Sequence, residues 1–267
     1  MSKSVIIVDK KAGQTPLEAI DEQKISDPAL LNLPLTYAGR LDPLASGVLV
    51  ILAGDECLKK DEYLALEKEY ELTILFGFST DTYDLMGKVM EMKSKEGFEM
   101  VWLSKPAQES EDLSNSSFDE IKEKIKYFVG RINQKYPPYS SRTVAGKPLY
   151  QWAREGRLDE ITIPSHEVFV KNIDVVGNNT INGKDLESKI KEVVALVNGD
   201  FRQKEILDLW HETLADKQEE IYQTVTLKVA CGSGVYVRGI AHELGQKMGI
   251  PALAFNIKRT KVGEYTL

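Results

Sequence analysis

The sequence predicts an α+β fold. Three observations carry that prediction. Short apolar or alternating runs mark strands, and stretches with apolar residues three and four apart mark helices. The two kinds follow one another without the regular strand–helix alternation of a doubly wound sheet. The 267 residues, 42% of them apolar, suffice for one large core, and we read the chain as a single domain over 1–267 with polar insertions at about 91–117 and 178–221.

Taken in order, Ser4–Lys10 reads as a short buried strand, and Thr15-Pro16 followed by Leu17, Ala19 and Ile20 as a helix start with Pro in the first turn. Val48–Leu52 is a strand entered from a turn at Asp42, and Asp55 is placed to cap a helix through Leu66. In Lys68–Phe76, residues Tyr70, Leu72, Ile74 and Phe76 share one face of a half-buried strand. Met90 to Ser117 is rich in Ser, Glu and Lys and predicts a mobile, solvated insertion. Ser117-Phe118-Asp119-Glu120 has the form of a capping box, with Phe118, Ile121, Ile125 and Phe128 at helical spacing and Gly130 as the stop. A short helix over Pro148–Arg154 ending at Gly156, helices over 184–198 and 203–220, and a strand over 222–230 follow. Ile240, Leu244 and Met248 mark the core face of a last helix closed by Gly249-Ile250-Pro251.

Composition narrows the function. No segment approaches the roughly 18 consecutive apolar residues of a membrane span, and Met1-Ser2-Lys3-Ser4 opens no signal peptide, which predicts a cytoplasmic protein without membrane contact. Cys57 and Cys231 form no close pair, and His166, His211 and His242 read as surface residues rather than ligands, so neither a disulfide framework nor a metal site is expected. The net charge of −7 argues against a nucleic-acid binder. The charge is unevenly spread, however. Residues 91–123 carry four Lys against nine acids and residues 178–221 six Lys or Arg against ten, leaving 24 basic and 22 acidic side chains on the rest. Salt screens exposed charges beyond about 8 Å, so a local basic face still holds RNA on a chain that is acidic in total.

The most informative stretch is Tyr37-Ala38-Gly39-Arg40-Leu41-Asp42-Pro43-Leu44-Ala45-Ser46-Gly47, which runs into Val48–Leu52. Asp-Pro between glycines is ordinary turn chemistry when it stands alone. Here it presents one carboxylate at the mouth of a strand, fixed by backbone. The whole string closely resembles the catalytic loop of the TruB-type tRNA pseudouridine synthases, whose pattern ends in Leu-Asp-Pro-Leu-Ala-Thr/Ser-Gly. Four further blocks are similar to the same family in the same order: Asp9–Pro16; Lys68-Glu69-Tyr70 with Thr80–Gly87; Pro138–Arg142 with Gly146–Tyr150 and Ala153–Gly156; and Gly234-Val235-Tyr236-Val237-Arg238 with Asn256–Thr260.

The resemblance implies a pseudouridine synthase fold, a mixed and mostly antiparallel central sheet flanked by helices with helical insertions; the family usually continues into a small C-terminal domain of PUA type, for which a sequence ending at Leu267 is expected to leave no room. It implies a cofactor-free, metal-free isomerase, read as a monomer, that converts uridine-55 in the T-arm of tRNA. By carry-over Asp42 is the catalytic residue, Arg238 its ionic partner, and Tyr70 the ring that stacks on the extruded uracil. Tyr236 and Ile257 are the pocket walls. Tyr37 stands where the family carries His, in the space left by the flipped base, which an aromatic wedge also fits. Arg142, Lys147 and Tyr150, together with Arg154, are phosphate and base contacts in this reading, while a solvated helix face explains them equally well. Arg40 makes the local string Gly-Arg-Leu-Asp, the signature of the RluA and RsuA synthases, so ribosomal RNA is the alternative target. The substitutions at Lys11, Pro16 and Tyr37 motivate a third reading, an RNA chaperone of the same fold.

Overall fold

The computed structural model describes residues 5–90 and 111–267, with backbone alone for 111–117. Most of the insertion expected at 91–117 therefore lies outside the described residues.

The chain begins with β1 (Val5–Lys10) and α1 (Pro16–Ser26). Thr15 caps α1 in a capping box: its hydroxyl accepts from the Glu18 amide, and the Glu18 carboxylate accepts from the Thr15 amide at 2.6 Å. Next come β2 (Leu35–Ala38), β3 (Ser46–Ala53), α2 (Lys60–Ala65) and β4 (Lys68–Phe76), then α3 (Glu111–Ile125) and β5 (Gly130–Lys135). A two-residue hairpin pairs β6 (Thr143–Val144) with β7 (Lys147–Pro148) through Ala145 and Gly146, both at positive φ as such a tight turn requires. The rest comprises α4 (Leu149–Arg154), β8 (Ser165–Asn182), α5 (Gly183–Ala195), α6 (Gln203–Leu214), β9 (Ile221–Cys231), α7 (Val237–Met248) and β10 (Ala252–Val262).

The main sheet has the order β1-β3-β10-β4-β9-β8-β5, with β2 paired to the far end of β3. All pairings are antiparallel except β3 with β10, which meet in parallel at Ser46↔Lys258 and Gly47↔Arg259. The mixed, mostly antiparallel sheet expected from the sequence is what the chain builds. One face of the central strands (Tyr70, Leu72 and Ile74 of β4; Val225, Leu227 and Val229 of β9) packs against Ile121 and Ile125 of α3 and Ile240 and Leu244 of α7. The other face is covered toward one end by α5 and α6, through Leu186, Ile190, Ile206 and the fully buried Trp210.

Several boundaries differ from the sequence reading. Asp55 caps no helix: Gly54, at φ +62°, turns the chain into a 3-10 segment over Gly54–Lys59, and α2 starts only at Lys60. The capping-box pattern at Ser117 lies inside α3, which among the described residues is already helical at Glu111, so 111–117 is helix rather than loop. That region holds several Ser, Asn and Asp residues, any of which suits an N-cap, and the local pattern does not choose among them. The helix expected over 203–220 stops at Leu214, and residues 178–182 belong to β8, paired with the start of β9. Strands β5, β8 and β10 were not anticipated. In β8 and β10 register shifts near Asn172, Gly177, Asn256 and Lys261 interrupt the alternation that would reveal a strand.

Candidate active site

The Asp42 turn is fixed by backbone bonds and by two buried cations. The Ala45 amide donates to the Asp42 carbonyl at 3.0 Å and the Gly13 amide to the Pro43 carbonyl at 2.9 Å. The Lys10 ammonium, fully buried, donates to the carbonyls of Gln14 (2.5 Å), Lys11 (3.0 Å) and Pro43 (3.1 Å). Arg259, on β10 and 1% exposed, donates from Nε to the Val48 carbonyl at 2.7 Å and from its two terminal nitrogens to the Arg40 and Gly39 carbonyls at 3.3 Å. The turn is thus gripped on both sides of its carboxylate. Gly47 is required where β3 meets β10: its φ is +99°, and a Cβ there would lie 2.2 Å from the Arg259 carbonyl oxygen.

Arg238 enters from the first turn of α7. The buried Gln134 side chain on β5 fixes that turn, because its amide donates to the Tyr236 carbonyl (3.0 Å) and accepts from the Tyr236 amide (2.9 Å). Arg238 donates from Nε to Asp42 Oδ2 at 2.8 Å, from Nη1 to the Thr82 carbonyl at 2.7 Å and from Nη2 to the Tyr139 carbonyl at 2.8 Å. Its side chain is 4% exposed while that of Asp42 is 40% exposed, so the carboxylate has one edge on a buried guanidinium and the other open. A second carboxylate, Asp84, stands behind Arg238. It accepts from the Thr82 hydroxyl at 2.6 Å and the Met86 amide at 2.9 Å, and burial pushes its pKa up to about 6 against the pull of Arg238.

Asp42 opens onto a cleft of about 690 Å³. Tyr70, Arg238, Tyr236, Ile257, Arg40, Tyr150 and Arg154 line it with Asp42, so eight of the eleven residues given a site role in the sequence meet there. Tyr70 and Ile257 are near neighbours across β4 and β10, where Tyr70 faces Arg259 and Leu72 faces Ile257. Burial raises the pKa of the Tyr70 hydroxyl, with the Arg259 charge opposing, so the ring stays neutral. The Tyr236 ring stands edge-on to Tyr136, itself stacked on His166 at 4.1 Å.

The other three lie elsewhere. Tyr37 sits on β2, packed beside the cluster of Ala19, Ile20, Leu49 and Ile51 with the Lys60 ammonium over its ring. Arg142 is exposed, its guanidinium 5.3 Å from the Tyr136 ring, and Lys147 pairs with Glu155 at 2.5 Å over the Trp152 ring. Of the three histidines only His211 is exposed. His166 bridges the Gln134 and Gly234 carbonyls, and His242 stacks on Tyr83 at 3.8 Å, where burial pushes its pKa down to about 4.

Sequence reasoning gave no role to Lys10, Lys68, Asp84 or Arg259, although each falls in a quoted block. Lys68 donates to the Leu64 and Leu66 carbonyls and lines the cleft; burial, helped by Arg259, pushes its pKa down to about 8. Lys10 is likewise pushed down to about 8 by burial, with Asp42 pulling it back up. Among the described residues no group of three or more His, Cys, Asp or Glu gathers to hold a metal ion, and no helix is long and apolar enough to cross a membrane.

Comparison with known proteins places the chain in a family. Residues 34–192 match the model of the TruB family pseudouridylate synthase, N-terminal domain. The chain is 29% identical over 265 residues to the tRNA pseudouridine synthase B of Syntrophus aciditrophicus, covering 98% of this chain and 63% of that protein. It is 27% identical over 272 residues to the enzyme of the same name from Chlamydia pneumoniae, covering 100% of this chain and 86% of that one. The chain thus spans less than two thirds of the first relative's length. Among solved structures it resembles a chain in the crystal structure of a Cbf5-Nop10-Gar1 complex, with a TM-score of 0.52 at 18% identity, covering 98% of this chain and 49% of the other, a likeness of fold.

Proposed function

Because the chain belongs to the TruB family of pseudouridylate synthases, we propose that it isomerises a uridine in the T-loop of tRNA, uridine-55, to pseudouridine, as a monomer in the cytoplasm. The observation that carries this reading is the half-open Asp42 carboxylate, fixed at 2.8 Å from a buried guanidinium on the floor of a cleft walled by Tyr70, Tyr236 and Ile257.

The reaction breaks the N1–C1′ bond, turns the uracil, joins C5 to C1′ and releases the C5 proton to solvent, while the freed N1 takes up a proton. It changes no oxidation state, so a carboxylate able to add to the sugar or base, or to stabilise an oxocarbenium-like species, suffices without a cofactor. Arg238 holds that carboxylate aimed through its 2.8 Å hydrogen bond. The target base reaches it by leaving its stack, at a cost of a few kcal/mol, of which one aromatic platform returns about 1–3 kcal/mol; Tyr70 is placed to be that platform. Tyr150 and Arg40, exposed at the cleft, are set to meet the RNA around the flipped nucleotide.

The test is turnover of tRNA carrying tritium at uracil C5. The wild-type chain releases tritium, while Asp42→Asn folds, binds tRNA and releases none. Tritium release at the normal rate by that variant ends the assignment. Mapping the modified position in tRNA and in ribosomal RNA separates this reading from the ribosomal alternative raised by Arg40.

A further inference from the structure

One wall of the cleft comes from a segment outside every motif block. The loop joining α5 to α6 brings Asp200, Phe201 and Arg202 into the lining. Arg202, just ahead of α6, has φ +64° and ψ +26°, a left-handed conformation that a non-glycine residue adopts only where its surroundings impose it. The surroundings here are specific. The guanidinium grips Asp81 with both terminal nitrogens, at 2.6 and 3.3 Å, and lies over the Tyr139 ring at 4.4 Å, with the side chain only 15% exposed.

Those partners lie on the two segments that hold Arg238. The carbonyls accepting from its terminal nitrogens belong to Thr82, next to Asp81, and to Tyr139 itself. The Asp81 carboxylate also accepts from the Lys88 amide at 2.9 Å, which closes the turn carrying Thr82 and Asp84. The 80–88 turn and the Tyr139 segment are therefore bridged twice, on the inside by Arg238 and on the outside by Arg202.

We propose that Arg202 is a positioning residue for the reaction proposed above, on which this inference rests: reaching in from the α5–α6 hairpin, it clamps Asp81 to Tyr139 and so fixes the two carbonyls that aim Arg238 at Asp42. The competing role, a phosphate contact, fits the geometry less well. Both terminal nitrogens are already committed to one carboxylate, and the groove beyond is lined by Asp200, Glu205 and Asp208 as well as by Lys88, Arg154 and Lys204. The acidic hairpin thus serves the chemistry by bracing the site.

The experiment measures single-turnover tritium release at saturating tRNA, tRNA affinity and its salt dependence for wild type, Arg202→Met, Arg202→Lys, Asp81→Asn and the Arg202→Met/Asp81→Asn double variant. Misplacing a catalytic group by about 1 Å costs up to roughly 100-fold, so Arg202→Met and Asp81→Asn are expected to lower the saturating rate about 10- to 100-fold. Affinity and salt dependence stay as in wild type, Arg202→Lys recovers part of the rate, and the double variant is no slower than the slower single because both remove one clamp. Asp81→Asn keeps an acceptor for the Lys88 amide and decides the matter if Arg202→Met does not fold. A saturating rate within threefold of wild type in the folded variants overturns the proposal, as does a loss confined to affinity with a shallower salt dependence, which would make Arg202 a phosphate contact. A wild-type chain that releases no tritium overturns the tRNA reading itself, and this inference with it.

Discussion

The floor of the cleft and the β6–β7 hairpin with α4 use the same cationic residue types in opposite ways. On the floor, Lys68 and Arg259, with Lys10 behind the Asp42 turn, are buried and direct their hydrogen bonds to backbone carbonyls. On the hairpin and α4, Arg142, Lys147 and Arg154 are exposed or half-exposed and lie against rings or carboxylates: Tyr136, Glu155 and Asp200. A buried cation on carbonyls cannot leave without orphaning them, whereas a surface pair exchanges its partner for a phosphate at little cost. The first arrangement suits a rigid reaction centre and the second a surface that meets a polyanion.

The largest effect expected from this contrast is at Arg259. Arg259→Leu strips two carbonyls beside Asp42 and one on β3 and should cost about 3 kcal/mol of stability, with about a 100-fold loss of tritium release as the Asp42 turn loosens. Urea denaturation and the turnover assay read the two effects, and an unchanged midpoint would erase the distinction between floor and hairpin.

Acid titration probes the same contrast at intermediate size. His242 has an ordinary pKa of 6.5, which burial pushes down to about 4 in the native state. The unfolded chain therefore takes up the proton first, and stability from this group falls as pH drops from about 6.5 toward 4. Asp84 acts with the opposite sign: its native pKa of about 6 lies above the ordinary 3.8, so its contribution is present below 3.8 and is lost as pH rises through about 6. His242→Phe should consequently show a smaller drop in melting temperature than wild type between pH 6.5 and 4. An equal drop in both proteins would show that burial of the imidazole carries no pH-dependent stability.

The smallest effect belongs to the hairpin. Arg142→Ala combined with Lys147→Ala should leave stability within about 0.5 kcal/mol and the saturating rate unchanged, while weakening tRNA binding by roughly 2- to 10-fold and flattening its salt dependence. A rate effect without a binding effect would place those side chains in the chemistry instead.

The sequence made some of this legible and hid the rest for physical reasons. Asp42, Tyr70, Tyr236, Arg238 and Ile257 were legible because they stand in blocks that resemble the family's motifs, in the family's order, and the chain brings all five to one cleft. Lys10, Lys68 and Arg259 were passed over because a cationic side chain reads as surface until carbonyls are seen to converge on it. Strand β8 was missed because its register shifts swap the buried parity partway along, from Val168 and Val170 to Ile173 and Val175. Arg202 escaped for another reason, since it lies in an acidic helical segment whose charge pointed away from the active site.

The parallel contact between β3 and β10 carries a consequence for biosynthesis. Gly47 and Arg259 are register partners although 212 positions of chain separate them. Lys10 and Gly13 precede the carboxylate, but two of its grips are translated long after it: the guanidinium of α7 comes late, and the strand clamping the turn later still. A ribosome-bound chain that has not yet released β10 lacks the Arg259 grip on the Asp42 turn, so competence should arrive only once β10 has paired with β3.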